Sequence, residues 1–184
     1  MNSKIKIAFT GHRYLSLPQV ESHLNKLHQD YSDAIWITGG AVGLDSVAAS
    51  FAMVHGIRLW LILPFPAHVM SKFWNPDQKR CIKDCWDYAE KTSVLAPAYD
   101  VSVYQRRNER MVDLSDMVAA FWDGSNGGTG NCVRYARKMG KKMVLFSDFS
   151  GIKPQEEKAL SSSPSYREVY GDIFTLDAEE VLKC

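Results

Sequence analysis

Residues 34–63 read AIWITGGAVGLDSVAASFAMVHGIRLWLIL. The stretch opens on a β-branched and aromatic run, AIWIT at 34–38, and closes on another, IRLWLIL at 57–63. Both have strand composition. Between them, residues 44–55 read as a helix, and Gly56 stands just past the last residue of the pattern, where a helix stops. A strand, a helix and a second strand at this spacing make a βαβ unit and a parallel strand pair.

The same alternation extends in both directions. Upstream, KIKIAFT at 4–10 is a strand, and 17–30 is a helix with Val20, Leu24 and Leu27 on one face. Downstream, a Pro- and aromatic-rich connection over 64–74 leads to a helix opened by Asn75-Pro76. Asn75 serves as N-cap, Pro76 sits in the first turn, and Gln78 is placed for a capping box. A short strand at 92–95, a helix at 104–114 and the strand MVAAFW at 117–122 follow. After the turn 123–130 come a helix at 132–139, ended by Gly140, and a sixth strand, KMVLF, at 142–146. The expected class is α/β, a Rossmann-like open and mostly parallel sheet with helices on both faces. One domain is expected over 1–184, with its regular core at 4–146. The remainder reads as an irregular loop through 171, an edge strand at 172–176 and a short last helix capped at Asp177.

Composition narrows the function. The 184 residues suffice for one domain with a sizeable core, and 46% of them are hydrophobic. No apolar run reaches the roughly 18 residues that span a bilayer. Met1 leads straight into a strand without a signal-peptide pattern, so a cytoplasmic protein with no membrane partner is expected. The net charge is +1, from 22 basic and 21 acidic residues, so the composition does not ask for a nucleic-acid partner. The four cysteines, Cys81, Cys85, Cys132 and Cys184, have neither CxxC nor zinc-finger spacing; reduced thiols and no metal are expected.

In open parallel sheets ligands bind where the strands' carboxyl ends lead into helix N-termini. Here those loops carry Thr10-Gly11-His12-Arg13, Gly39-Gly40-Ala41-Val42-Gly43 and Gly124-Ser125-Asn126-Gly127-Gly128-Thr129-Gly130. Glycine lets backbone N–H groups approach an anion, and the helix dipole behind favours negative charge. Three such loops on one edge outline a phosphate-bearing ligand site. Arg13 suits a phosphate or carboxylate; His12 either meets the ligand or caps its loop. Asp45, in the first turn of its helix, is a dipole partner or an acceptor for a ribose hydroxyl or a base. Arg107 shares the inward face of its helix with Met111 and Leu114, so it needs an internal acid or a ligand, and Asn108 adjoins it.

His23, His28, His55 and His68 read as surface or packing residues, and Trp36, Trp60, Trp74, Trp86 and Trp122 as mostly strand or helix core. Phe73-Trp74 either stack on a base or pack under their loop. Phe51, Met53, Trp86 and Met139, on helices flanking the sheet, suggest a homodimer.

Taken in order, FTGHR, ITGGAVGLD and YQRRNERMVDLSDMVAAFWDGSNGGTGNCVRYA resemble the SLOG superfamily, most closely its small stand-alone YpsA/YoqJ-like branch, over residues 5 to 146. The resemblance implies a Rossmann-like fold that binds nucleotide-derived ligands. Its relatives include cytokinin-activating phosphoribohydrolases, molybdenum-cofactor carrier proteins, Smf/DprA proteins of DNA processing and ligand-sensing domains of bacterial defence systems. Thr10–Arg13 and Gly39-Gly40 resemble the first two ligand loops, Gly127-Gly128-Thr129 the phosphate cradle, and Arg107-Asn108 the arginine-bearing pair of the phosphoribohydrolases. Those enzymes carry PGGxGTxxE. Aligning the first glycines puts Arg134 at the glutamate; aligning GT puts Cys132 there. The catalytic acid and the leading proline are both missing, so catalytic residues are not assigned, though Asp45, Asp113 or Asp123 could supply a carboxylate. The expectation is binding or sensing of an ADP-ribose- or NAD-like nucleotide derivative, with no other cofactor. The alternatives are cleavage or transfer at a nucleotide's N-glycosidic bond, or a DNA-processing accessory role.

Overall fold

A computed structural model describes residues 4–147. The strand and helix expected at 172–176 and after Asp177, and the loop before them, lie outside the described residues. The elements run β1 (Lys6–Gly11), α1 (Leu17–Asp30), β2 (Ile35–Thr38), α2 (Leu44–Val54), β3 (Arg58–Leu63), α3 (Ala67–Met70), α4 (Pro76–Tyr88), β4 (Lys91–Val94), α5 (Ser102–Leu114), β5 (Met117–Phe121), α6 (Gly128–Lys138) and β6 (Lys142–Phe146). The six strands form one sheet in the order β4-β3-β2-β1-β5-β6. Every pairing is parallel.

This order locates the site. The chain steps outward from β1 to β4, then returns through α5 to lay β5 on the other side of β1. Connections on the two sides of the β1/β5 boundary therefore diverge and leave a crevice at the carboxyl edge, the topological switch point. β5 is buried throughout, as its unbroken apolar run requires of a strand covered on both faces.

Each sheet face has its own apolar layer. Ala8, Ile37, Ile62, Val118 and Ala120 pack with Met111 and Val112 of α5 and with Cys132, Val133 and Ala136 of α6. On the opposite face the Phe9 and Trp36 rings lie 4.5 Å apart, and Phe51 of α2 stacks on Trp36 at 5.5 Å. Phe51 thus belongs to the core and offers nothing to an outward dimer face. Trp86 is 41% exposed rather than core, and Phe73 is 90% exposed, so it does not pack under its loop.

Local signals set several boundaries. Asn75 Oδ1 accepts from the Gln78 N–H at 2.8 Å, and Gln78 Oε1 accepts from the Asn75 N–H at 3.1 Å, which closes the expected capping box. The 64–74 connection contains the one-turn α3. α5 begins at Ser102, ahead of the expected 104, because Asp100 Oδ1 accepts from the Ser102 N–H at 2.8 Å. α6 begins at Gly128 rather than 132. Glycine's poor helix propensity conceals that start in the sequence.

Candidate functional site

A pocket of about 340 Å³ opens at the switch point. The end of β1 and the loop after it contribute Thr10, Gly11, His12 and Arg13, the β2–α2 connection contributes Ala41 and Val42, and the first turn of α2 contributes Asp45. From α5 come Tyr104, Arg107, Asn108 and Met111; from α6 come Gly128 and Thr129.

Arg107 reaches across from α5 and donates through Nη1 to Asp45 Oδ2 at 2.8 Å. The two side chains are only 8% and 10% exposed. The inward arginine therefore has an internal acid and also lines the pocket. Its Nε is buried without a hydrogen-bond partner. Asp45 Oδ2 also accepts from the Ala41 N–H at 3.2 Å, so both recorded bonds fall on one carboxylate oxygen. The other oxygen keeps its lone pairs for a further donor.

Neither Gly39 nor Gly40 is among the lining residues: Gly39 lies behind this pair, and Gly40, at φ +70°, lies against Leu61, Leu63 and Ile82. A Cβ on Gly39 would lie 1.3 Å from Arg107 Nη1 and 2.7 Å from Asp45 Oδ2. Gly39 thus makes room for the guanidinium instead of exposing backbone to the pocket. Their neighbours Ala41 and Val42 provide the wall.

The Gly127-Gly128-Thr129 segment is the N-terminus of α6 itself. Gly127 is the N-cap at φ 143°, and the first turn holds no acid. The first N–H groups of a helix lack intrahelical partners and carry the positive end of its dipole. Here Gly128 and Thr129 present that turn to the pocket, and Asn108 Nδ2 donates to the Gly128 carbonyl at 3.4 Å, tying α5 to it.

His12 lies with Nε2 3.0 Å from Asp123 Oδ1, and its ring stacks on Tyr14 at 4.9 Å. The Tyr14 hydroxyl donates to Asp123 Oδ2 at 3.2 Å. Hydrogen bonds from Ser125, first its side chain and then its backbone, with the nearby His12 and Tyr14, outweigh desolvation and hold the Asp123 carboxyl down at about 2. Burial, then the Asp123 charge, pushes the Tyr14 phenol up to about 12. His12 is thus both a lining residue and the brace between the loops after β1 and β5. His23 packs against Phe146 and Phe121 at 4.5 and 6.0 Å.

Neither alignment of the missing glutamate finds an acid. Arg134 is exposed and bonded to Asn131. Cys132 is buried within the field of Arg107 and Asp45, and its thiol is raised to about 11 by burial, against a hydrogen bond with Thr10. A carboxylate that acts on Cys132 is Asp45, supplied by a different helix, α2. Cys81, Cys85 and Cys132 are free thiols, and no cluster suited to a metal ion occurs among the described residues. No described helix is long and apolar enough to cross a membrane.

Phe9, Ala41, Val42, Tyr104 and Met111 line the pocket as well, beyond the residues expected from the sequence. Tyr104 carried a usable signal: it lies three and four residues before Arg107 and Asn108, on the same helical face.

Fold and sequence likeness together place the chain in the SLOG superfamily, a class of Rossmann-like α/β domains. Within it, the chain is 33% identical over 120 residues to the uncharacterized SPbeta prophage-derived protein YoqJ of Bacillus subtilis (strain 168), covering 56% of this chain and 69% of that one. It belongs to the same family. No family model matches the chain. Among solved structures, DNA processing protein A of Helicobacter pylori, whose description concerns a single-stranded DNA binding mode, superposes with a TM-score of 0.58 at 18% identity. That match covers 78% of this chain and 66% of that one. DNA processing protein A (DprA) of Streptococcus pneumoniae gives 0.63 at 17% identity, over 91% of this chain and 61% of that one. The chain thus spans less than two thirds of either protein. A protein designated TM1055 gives 0.55 at 15%, over 85% and 81%. At these identities the three structures share the fold.

Proposed function

We propose that the chain binds or senses a phosphate-bearing, nucleotide-derived ligand in the switch-point pocket. The observation that carries this reading is the first turn of α6, acid-free and led by Gly127-Gly128-Thr129, opening into the same pocket as the Asp45–Arg107 pair. The helix N-terminus takes a phosphate through backbone N–H groups and the Thr129 hydroxyl. The second Asp45 oxygen accepts from a ribose hydroxyl. The unpartnered Arg107 Nε supports the reading as well, because a buried donor left unmet costs about 1–3 kcal/mol. Mass spectrometry of small molecules released from the purified protein tests the ligand class. A phosphorylated nucleoside derivative, returned intact after incubation, is the expected result. A copurifying ligand that lacks phosphate would refute it.

One observation favours a second reading, an enzyme acting at an N-glycosidic bond. Asp45 brings a carboxylate beside Arg107 and Cys132, near the position where the motif lacks its glutamate. Release of free base or ribose phosphate during the same incubation, abolished by Asp45→Asn in a protein that circular dichroism shows to be folded, would establish it. A neighbour of the same fold is described as binding single-stranded DNA, so balanced net charge alone does not set nucleic acid aside. A salt-sensitive gel shift of a single-stranded oligonucleotide would bring that role forward.

A further inference from the structure

Cys81 and Cys85 stand one turn apart on the face of α4 that packs on α2. Both are free thiols; Cys85 is 1% exposed, while Cys81 is only part-buried. Cys81 Sγ lies 3.5 Å from Ser50 Oγ of α2, and Ser50 is itself buried. The two thiols also hydrogen-bond to each other. That bond, assisted by Ser50 and opposed by burial, holds Cys81 below the ordinary thiol value. The same bond, together with burial, pushes Cys85 well up. The pair is unequal: one sulfur favours the thiolate and keeps a path to solvent, and its neighbour stays protonated behind it. Cys132, buried on α6, lacks that arrangement and bonds to Thr10.

We infer that Cys81 and Cys85 form a hydroperoxide-oxidisable dithiol site, with Cys81 the attacking thiol and Cys85 the resolving one. The Cys81 thiolate attacks the terminal oxygen of the hydroperoxide. The S–O bond forms, the O–O bond breaks, and the departing alkoxide or hydroxide takes a proton from water. Sulfur is oxidised by two electrons and the peroxide is reduced. Cys85 sulfur then attacks the Cys81 sulfenic sulfur; the S–S bond forms, the S–O bond breaks, and the hydroxyl leaves with the Cys85 proton as water.

The site lies apart from the switch-point pocket and stands whatever that pocket binds, yet α4 touches the loop behind the pocket wall. Residues four apart on a regular helix hold their Cβ atoms about 5–6 Å apart, whereas a disulfide needs roughly 3.5–4.5 Å. The bridge therefore forces the 81–85 turn to unwind, and such a strained bridge is readily reduced again. Ile82, inside that turn, is buried, and a Cβ on Gly40 would lie 2.9 Å from its Cδ1. Gly40 precedes Ala41, whose N–H bonds Asp45. Oxidation at α4 thus loosens the packing that backs the β2–α2 loop.

The full chain treated with hydrogen peroxide, alkylated, unfolded and digested with trypsin tests this. Lys83 stands between the cysteines, so a bridge leaves peptides 81–83 and 84–91 joined. We expect that joined pair, an intact mass lower by about 2 Da, and reversal of both by a thiol reductant. Cys85→Ser should halt at a Cys81 sulfenic acid that dimedone traps, and Cys81→Ser should leave Cys85 reduced. Both thiols recovered free from the wild type, under peroxide that oxidises glutathione, would overturn the site; that readout needs no variant to fold. A bridge from Cys81 to Cys132 or Cys184 would equally overturn the role of Cys85. Hydrogen exchange across 39–45 should rise in the oxidised protein. Unchanged exchange there overturns the link to the loop and leaves the dithiol site standing.

Discussion

Gly39 has no side chain where Arg107 needs space, and the consequence can be tested at that residue. Gly39→Ala places a Cβ against Nη1, so the guanidinium must leave its position and its bond to Asp45. We expect a folded protein with weakened ligand binding, measured by titration beside a thermal melt. Asp45→Asn is harsher, since it leaves a buried arginine without its counter-charge; a loss of about 3–5 kcal/mol in denaturant unfolding is expected. The inward phase of Arg107 was legible from Met111 and Leu114, but its partner lies 62 residues away, and no local pattern names it. Gly39 was read as a ligand glycine for the same reason: sequence shows that a side chain is missing, not what fills the gap. Asp123 gives a pH prediction of its own. Its carboxyl is depressed from 3.8 to about 2, so its contribution is complete above the unfolded value and disappears as pH falls through the folded one. Asp123→Asn should therefore flatten the decline in stability between those two pH values. The effect is small, because the side chain is 41% exposed and solvent screens it.

At the scale of elements, α6 separates folding from binding. A Cβ at Gly128 meets nothing nearer than Asn108 Nδ2 at 3.9 Å, and no positive φ occurs there; the positive φ falls on Gly127. Gly128→Val should therefore fold and lose the phosphate, because its branched side chain stands where the anion must approach. Gly140 has φ +64°, so Gly140→Ala should lower the melting temperature and leave affinity unchanged. The start of α6 was misread because Gly128, Thr129 and Gly130 are poor helix formers, whereas α4 was legible from its N-terminus because its capping box is written in side chains. α4 also carries two unlike thiols. Cys85 hydrogen-bonds to Cys81 and lowers its pKa, with Ser50 assisting, while that same bond and burial push Cys85 well up. Among the described thiols Cys81 should react first with iodoacetamide in the native protein, and peptide mapping should find Cys85 and Cys132 labelled only after unfolding.

For the whole molecule, strand order decides where function can lie. The alternation of apolar runs and helical stretches made the parallel sheet legible. The order β4-β3-β2-β1-β5-β6 was not, because it depends on where α5 returns the chain rather than on any local composition. That return sets β1 beside β5 and brings His12, Arg13, Asp45, Arg107, Asn108 and Thr129 to one crevice. The central claim is that this crevice holds a nucleotide by its phosphate on α6. The most direct test is calorimetric titration of AMP and adenosine into the wild type and Gly128→Val. The account predicts that the wild type prefers AMP and that the folded variant loses that preference. Adenosine bound as tightly as AMP by the wild type, or AMP bound unchanged by folded Gly128→Val, would contradict it.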